Sequence, residues 1–82
     1  MELNYKALSG HTCIMHARAA LVDYIFRVQG AELRRLDFDA AASDLGVSRR
    51  TVSRYVGELA GQNVIVIAGD KLKLNDEFII VG

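Results

Sequence analysis

The chain contains no proline, no tryptophan and a single cysteine. A lone cysteine cannot form an internal disulfide, so the fold depends on its core, as is usual in a reducing compartment. No apolar run approaches the ~20 residues that cross a bilayer, and the first residues lack the basic-then-apolar layout of a signal peptide. The sequence therefore predicts a cytoplasmic protein that has no membrane partner.

An excess of one charge is also missing, since ten basic and ten acidic residues give a formal net charge of zero. This excludes a uniformly basic protein that coats nucleic acid, because such binding needs a positive potential. The charges are unevenly placed, however. The stretch from Gly46 to Gly57 holds three arginines and no acid, whereas three aspartates lie just before it: Asp37, Asp39 and Asp44. We therefore expect one locally positive face on a neutral body.

The 82 residues, 51% of them apolar, are enough for one small domain with a single core. A first helix is predicted from Thr12, a possible N-cap, to Gly30, a residue that ends helices. Its apolar residues recur at helical spacing; they are Ile14, Ala17, Leu21, Tyr24, Ile25 and Val28. A brief strand is predicted around Leu33 to Leu36.

Two further helices are separated by the three residues "GVS". Asp37 is a candidate N-cap for the first, an alanine-rich helix that Gly46 ends. Ser48 is the candidate N-cap of the second, which reaches about Ala60 and carries an apolar face; that face is Val52, Tyr55, Val56 and Leu59. This pattern, over about residues 37–61, predicts a helix-turn-helix whose second helix enters a DNA groove.

A β-hairpin is predicted over about residues 63–75, because a β-branched run is followed by Gly69-Asp70 and then by alternating leucines and lysines. Together with the helices it predicts an α+β fold of the winged-helix type, with the hairpin as the wing. The role of the apolar tail from Phe78 to Gly82 stays open. It would either add a strand to the hairpin sheet or pack on another chain.

The three arginines of the last helix have two interpretations, an ordinary solvated face or a DNA-reading surface. Arg50 and Arg54 are one turn apart and repel each other, with no acid in the same turn to compensate them, whereas Arg49 lies about 100° round the helix. Arginine bonds guanine in the major groove or grips phosphate, and the hydroxyls of Thr51 and Ser53 suit phosphates. In a helix-turn-helix we favour DNA contact.

Two further candidates flank these residues. Ser48 lies at the helix N-terminus, which favours phosphate. Lys71 lies beside the predicted wing turn, where it would reach the DNA backbone. The alternative is that Lys71 and Lys73 only keep the outer face of the hairpin soluble.

The stretch "DLGVSRRTVSRYVGELAGQNVIVIAGDKLKL" resembles the C-terminal DNA-binding domain of the Crp/Fnr family of bacterial transcription regulators. In that family a G-x-S-R-x-T-V-x-R helix is followed by Q-N-x-I and a glycine-containing wing. The preceding "ARAALVDYIF" resembles the family's R-L-A-x-x-L helix, so the likeness covers about two thirds of the chain. It implies a winged helix over residues 11–82, preceded at residues 1–10 by a linker or the end of a dimerisation helix.

The resemblance also implies roles for single residues. Arg49, Arg50 and Arg54 match the three DNA-contacting positions, and Ser53 matches a position where some members use a serine. Arg54 corresponds to the arginine that reads guanine, and Arg49 to a contact with phosphate and base. Arg50 departs from the family, because many members have there a glutamate that accepts from cytosine. Arginine has no acceptor, so a different half-site is expected.

The family further implies parts that 82 residues cannot hold, a β-roll effector domain and a long dimerisation helix. We therefore expect a piece of a longer regulator that acts as a homodimer on inverted repeats, with RNA polymerase as a further partner. No cofactor is expected in this domain, because any effector would bind the missing N-terminal part. The isolated domain should bind DNA weakly.

Metal and enzyme functions find little support. His11, Cys13 and His16 are close in sequence, but tetrahedral zinc needs four ligands and no fourth is suitably spaced. Neither a glycine-flanked nucleophile nor a phosphate loop is present. The sequence predicts sequence-specific binding of double-stranded DNA. The alternative is a winged-helix module for protein–protein interaction.

Overall fold

The computed structural model describes residues 2–8 and 16–80, which form four helices, four short strands and one 3-10 turn. The helices are α1 (Tyr5–Leu8), α2 (His16–Gln29), α3 (Phe38–Leu45) and α4 (Arg49–Gly61). The strands are β1 (Glu2–Leu3), β2 (Ile65–Ala68), β3 (Lys71–Leu74) and β4 (Ile79–Ile80), with the 3-10 turn at Asp76–Phe78. The predicted N-cap Thr12 lies outside the described residues.

The turn between α3 and α4 is built as the capping residues predict. The Asp37 carboxylate accepts from the backbone N–H of Ala40 at 3.0 Å and so begins α3. Gly46 follows the helix in the left-handed conformation, with φ of 71°, and donates to the carbonyl of Ala42. Ser48 then caps α4 with its side-chain oxygen. These contacts confirm the predicted bounds of both helices to within one residue.

The hairpin is confirmed as well. β2 and β3 pair antiparallel, with Ile65 opposite Leu74 and Ala68 opposite Lys71. Gly69 opens the two-residue turn with φ of 63°, a conformation that disfavours residues with a Cβ.

The predicted brief strand before α3 is a single β-bridge. Arg34 and Leu72 exchange backbone hydrogen bonds of 3.1 and 2.9 Å. The buried Gln29 side chain donates to the carbonyls of Leu72 and Glu32, at 2.7 and 2.9 Å. These hydrogen bonds join the end of α2 to β3 and so fix the position of the hairpin relative to the helices.

The C-terminal tail pairs with the N-terminal residues, which neither of its two predicted roles included. Leu3 lies opposite Ile79, and Asn4 donates its N–H to the carbonyl of Phe78 at 2.7 Å. The physical reason is apolar burial, since Leu3 and Phe78 are 4% and 0% exposed. Leu3 is thus part of the core and Ala7 packs against it, while the expected linker or helix end at residues 1–10 stays a prediction.

One core lies between the helices and both sheets. Its buried residues from the helices are Leu21, Val22, Tyr24, Ile25, Ala41, Ala42, Val52, Val56 and Leu59. The predicted core position Val28 is wrong, because Val28 is 47% exposed and Gln29 is buried in its place. Val28 lies seven residues after the buried Leu21 and so at nearly the same angle around α2, which is why helical spacing alone did not separate the two positions.

The protein is an α+β fold with two small antiparallel sheets, and the order of α2, bridge, α3, α4 and hairpin is compatible with a winged-helix arrangement. Among the described residues, no helix has the length and apolar character needed to cross a membrane.

Two glycine-to-alanine substitutions should have opposite effects on stability. Gly46→Ala should lower the free energy of unfolding by about 1 kcal/mol, because an L-residue is strained at its positive φ. Gly57→Ala, inside α4 with no atom within 4 Å of the new Cβ, should raise it by about 0.5 to 1 kcal/mol. Urea denaturation of both variants checks this. Equal effects of the same sign would contradict the left-handed turn.

Candidate nucleic-acid interface

Helix α4 has one buried and one exposed face. Val52, Val56 and Leu59 are at most 5% exposed and pack in the core. The opposite face turns outward, because residues on a helix that are far from the buried ridge in angle cannot reach the core. Its exposed residues are Arg50, Ser53, Arg54 and Gly57, whereas Arg49 is exposed at the first turn of the helix. Packing of the core therefore leaves the side chains of Arg50 and Arg54 exposed to solvent.

Four of the seven predicted site residues come together on this face. Arg50, Thr51, Ser53 and Arg54 line one surface depression. Two arginine side chains and two hydroxyls around a shared depression form a donor-rich surface that is suited to oxygen and nitrogen acceptors.

Ser48 lies at the start of the same helix and is used locally. Its Oγ accepts from the backbone N–H of Thr51 at 3.1 Å and lies 2.9 Å from the Thr51 Oγ1. These contacts stabilise the first turn of α4, so the described role of Ser48 is to hold the helix end.

Arg49 points to a different depression, which it lines together with Arg35 and residues 36–39. Its Nη1 lies 3.6 Å from a carboxylate oxygen of Asp39 on α3. Arg35 in turn lies 3.3 Å from Asp70 in the hairpin turn. This second depression therefore connects the start of α4 with the segment that contacts the wing. Sequence reasoning missed Arg35, because its partner is 35 positions away.

The sequence predicts that no acid compensates Arg50 and Arg54. In the described part of the structure this is true of Arg50 only. Among the described residues, Arg50 has no acidic partner within ion-pair distance. Arg54 is different, because its Nε lies 3.7 Å from Glu58, one turn further along α4. The sequence itself carries this signal, an arginine followed four residues later by a glutamate.

Glu58 also reaches α2. Its Oε2 accepts a hydrogen bond from the Nε of Arg18 and forms an ion pair with the Nη2 of the same side chain. The guanidinium groups of Arg18 and Arg54 lie 5.0 and 5.5 Å from the centre of the Tyr55 ring. Tyr55 is half-buried at the edge of the core, as its predicted place on the apolar face requires. Sequence reasoning missed Arg18, because no local pattern shows which residue of α2 faces α4.

The wing carries one exposed lysine and one paired lysine. Lys71 is exposed beside the turn, and among the described residues it has no ion pair. Lys73 lies 3.4 Å from Asp76. The two apolar side chains Val66 and Ile67 of β2 are 40% and 50% exposed. The hairpin therefore offers both a cation and apolar surface to a partner.

An exposed ion-pair network ties α2 to α3 away from α4. Arg27 contacts Asp23 at 2.9 Å and Asp44 at 3.2 Å. The hydrogen bond that Arg27 donates to Asp23, and then the one that it donates to Asp44, raises the pKa of Arg27 above its ordinary value. Since arginine is already charged at neutral pH, this pKa shift produces no pH switch.

No metal centre is formed by the described residues, in which no group of three metal-binding side chains occurs. The candidates His11 and Cys13 lie outside the described residues, and of His16 only its position as the first residue of α2 is described.

Comparison with known proteins found no matching protein family, no similar curated protein and no similar solved structure. The likeness to Crp/Fnr domains therefore stays a prediction from the residues quoted above.

The capping contact at the start of α4 can be tested by itself. Ser48→Ala should lower the free energy of unfolding by about 1 kcal/mol, because the N–H of Thr51 loses its acceptor. Ser48→Asp should retain the wild-type value, since aspartate is an equally good N-cap and its charge suits the helix N-terminus. Chemical denaturation followed by circular dichroism checks both. Equal loss in the two variants would contradict the capping role.

Proposed function

We propose that this protein binds double-stranded DNA in a sequence-specific manner, with α4 in the major groove. The observation that carries the proposal is the exposed face of α4, where Arg50 and Arg54 share one depression with two hydroxyl residues. Arg50 has no acidic partner among the described residues, so its guanidinium is available to a partner that is not part of this chain.

The dimensions of α4 suit this role. The helix has 13 residues and is therefore about 20 Å long, and the major groove is about 12 Å wide and admits one helix. Arg50 and Arg54 are separated by about 6 Å along the axis, close to two base-pair steps of about 3.4 Å each. Each fork can bond the O6 and N7 of a guanine or grip a phosphate. The preceding helix α3 would then cross the DNA backbone.

The surrounding charges favour the same orientation. Arg49 lies at the start of α4 and Lys71 at the wing turn, and both are exposed. We propose that these two residues contact phosphates, while Ser53 contacts the backbone from the middle of the helix. Asp70 beside Lys71 is compensated by Arg35, which lowers its repulsion of a phosphate chain.

The resemblance to Crp/Fnr domains extends the proposal. It makes this chain the winged-helix part of a cytoplasmic transcription regulator that acts as a homodimer and meets RNA polymerase on DNA. Where many members of that family have a glutamate, which accepts hydrogen bonds, this chain has Arg50, which only donates them. We therefore propose that the preferred half-site differs from that of members with a glutamate there.

A second candidate is a protein-interaction module, and the exposed Val66 and Ile67 of β2 favour it. Exposed apolar strand residues next to a helix can bind a protein partner. The tail offers less to such a partner than its sequence suggests, since Phe78 and Ile79 are buried and only Ile80 of the described tail residues is exposed.

DNA binding should be measured by fluorescence anisotropy with a labelled duplex of random sequence, at about 50 and about 200 mM salt. We expect the affinity to fall with salt, with a slope that reflects several phosphate contacts. Arg50→Ala and Arg54→Ala should each weaken binding by about 1 to 3 kcal/mol on a duplex selected for tight binding.

The matched control is Arg27→Ala. It removes the same charge from α2, where Arg27 pairs with Asp23 and Asp44 and, among the described residues, forms no ion pair with α4. This variant should bind the selected duplex within about twofold of wild type, because the charge of Arg27 is already compensated by two carboxylates. Absence of salt-dependent binding, or no loss in Arg54→Ala, would refute DNA recognition and favour the protein-interaction module.

A further inference from the structure

We infer that Arg18 of α2 is a positioning residue for Arg54, because it occupies the carboxylate that would otherwise neutralise Arg54. The inference rests on the proposed DNA binding by α4. It adds a residue that lies outside the helix-turn-helix and contacts no DNA itself.

The two oxygens of Glu58 are shared unequally. Oε2 accepts a hydrogen bond from the Nε of Arg18 and is in ion-pair contact with its Nη2. Oε1 lies 3.7 Å from the Nε of Arg54, which is beyond hydrogen-bond distance. Glu58 is thus bonded to Arg18 and only near to Arg54.

Burial follows the same order. The side chain of Arg18 is 22% exposed, that of Glu58 is 36% exposed and that of Arg54 is 65% exposed. A more buried ion pair is screened less by water, so the contact between Arg18 and Glu58 is the stronger of the two. Arg54 is left at the outer end of the cluster, where its guanidinium can meet DNA.

Tyr55 contributes to the placement of both arginines. Its ring lies beneath the guanidinium of Arg18 at 5.0 Å and near that of Arg54 at 5.5 Å, within the range of cation–π attraction. Two cations and one carboxylate leave a net charge of +1 in this cluster. That charge is directed to the exposed side, because Arg18 and Glu58 compensate each other further inside.

Removal of Arg18 changes the partner of Glu58. The carboxylate would then be free to bond Arg54 at the i, i+4 spacing, which is favourable within a helix. A guanidinium that is bonded to a carboxylate must break those bonds before it can bond a base or a phosphate. Arg18 therefore raises DNA affinity through Arg54.

Arg18→Met should weaken binding to the selected duplex about threefold to tenfold, in line with coupling energies between neighbouring residues. Glu58→Gln removes the same ion pair, yet it should leave binding equal to or tighter than wild type. The double variant Arg18→Met with Glu58→Gln should recover the affinity that Arg18→Met loses. If the pair served only the fold, the two single variants would weaken binding to the same extent, and the inference would be refuted.

A double-mutant cycle with Arg54→Ala distinguishes an action of Arg18 through Arg54 from a long-range effect of the Arg18 charge. In the Arg54→Ala background, Arg18→Met should no longer change the affinity, because the residue through which it acts is absent. An unchanged loss in that background would show that Arg18 acts by its charge alone and would overturn the inference. Arg27→Met is the control for removal of an α2 arginine that pairs with another helix.

The free protein supplies a readout without DNA. In the NMR spectrum of Arg18→Met, the Nε–H of Arg54 should shift and exchange more slowly with water than in wild type, because it donates to Glu58. If this signal stays the same, Glu58 does not bond Arg54 after Arg18 is removed, and the inference is contradicted. Absence of salt-dependent DNA binding by wild type would instead refute the proposed function and the inference together, whereas an additive cycle would refute the inference alone.

Discussion

Burial of the apolar ridge of α4 is the constraint on which the remainder of the candidate site depends. Val52, Val56 and Leu59 pack against α2, α3 and β2, and each is nearly or fully buried. A helix cannot rotate about its axis without exposing such a ridge, which would cost about 1.5 to 3 kcal/mol for each large side chain. The core therefore determines which way the arginines of α4 face, and no contact made by the arginines themselves is needed for this.

The electrostatic organisation of the molecule explains how a chain of zero net charge can carry a basic surface. Acidic and basic residues compensate each other over much of the surface, as Arg27 does with Asp23 and Asp44. On α4 the compensation is incomplete, because Glu58 is shared between two arginines and Arg50 has no acidic partner in the described part of the chain. Net charge alone is thus a poor guide to the surface that a small domain offers to a polyanion.

Local signals predicted the α3–α4 unit closely. Asp37, Gly46 and Ser48 set the helix ends by hydrogen bonds to residues at most four positions away, and such contacts are visible in a sequence. The hairpin was equally predictable, because Gly69 at the turn and the alternation of leucine and lysine act over a few residues. The phase of α2 was harder to predict, since apolar spacing alone does not show that Gln29 is buried by its bonds to the hairpin.

The sequence by itself determined the helix-turn-helix pattern, the hairpin and the set of arginines on the exposed face of α4. Each of these depends on spacing along one element or on a cap between near neighbours. Only the tertiary structure decided that the tail pairs with residues 2–3 and that Arg18 meets Glu58 across two helices. Such contacts join residues that are 40 or more positions apart, and their geometry is set by how the elements pack on the shared core.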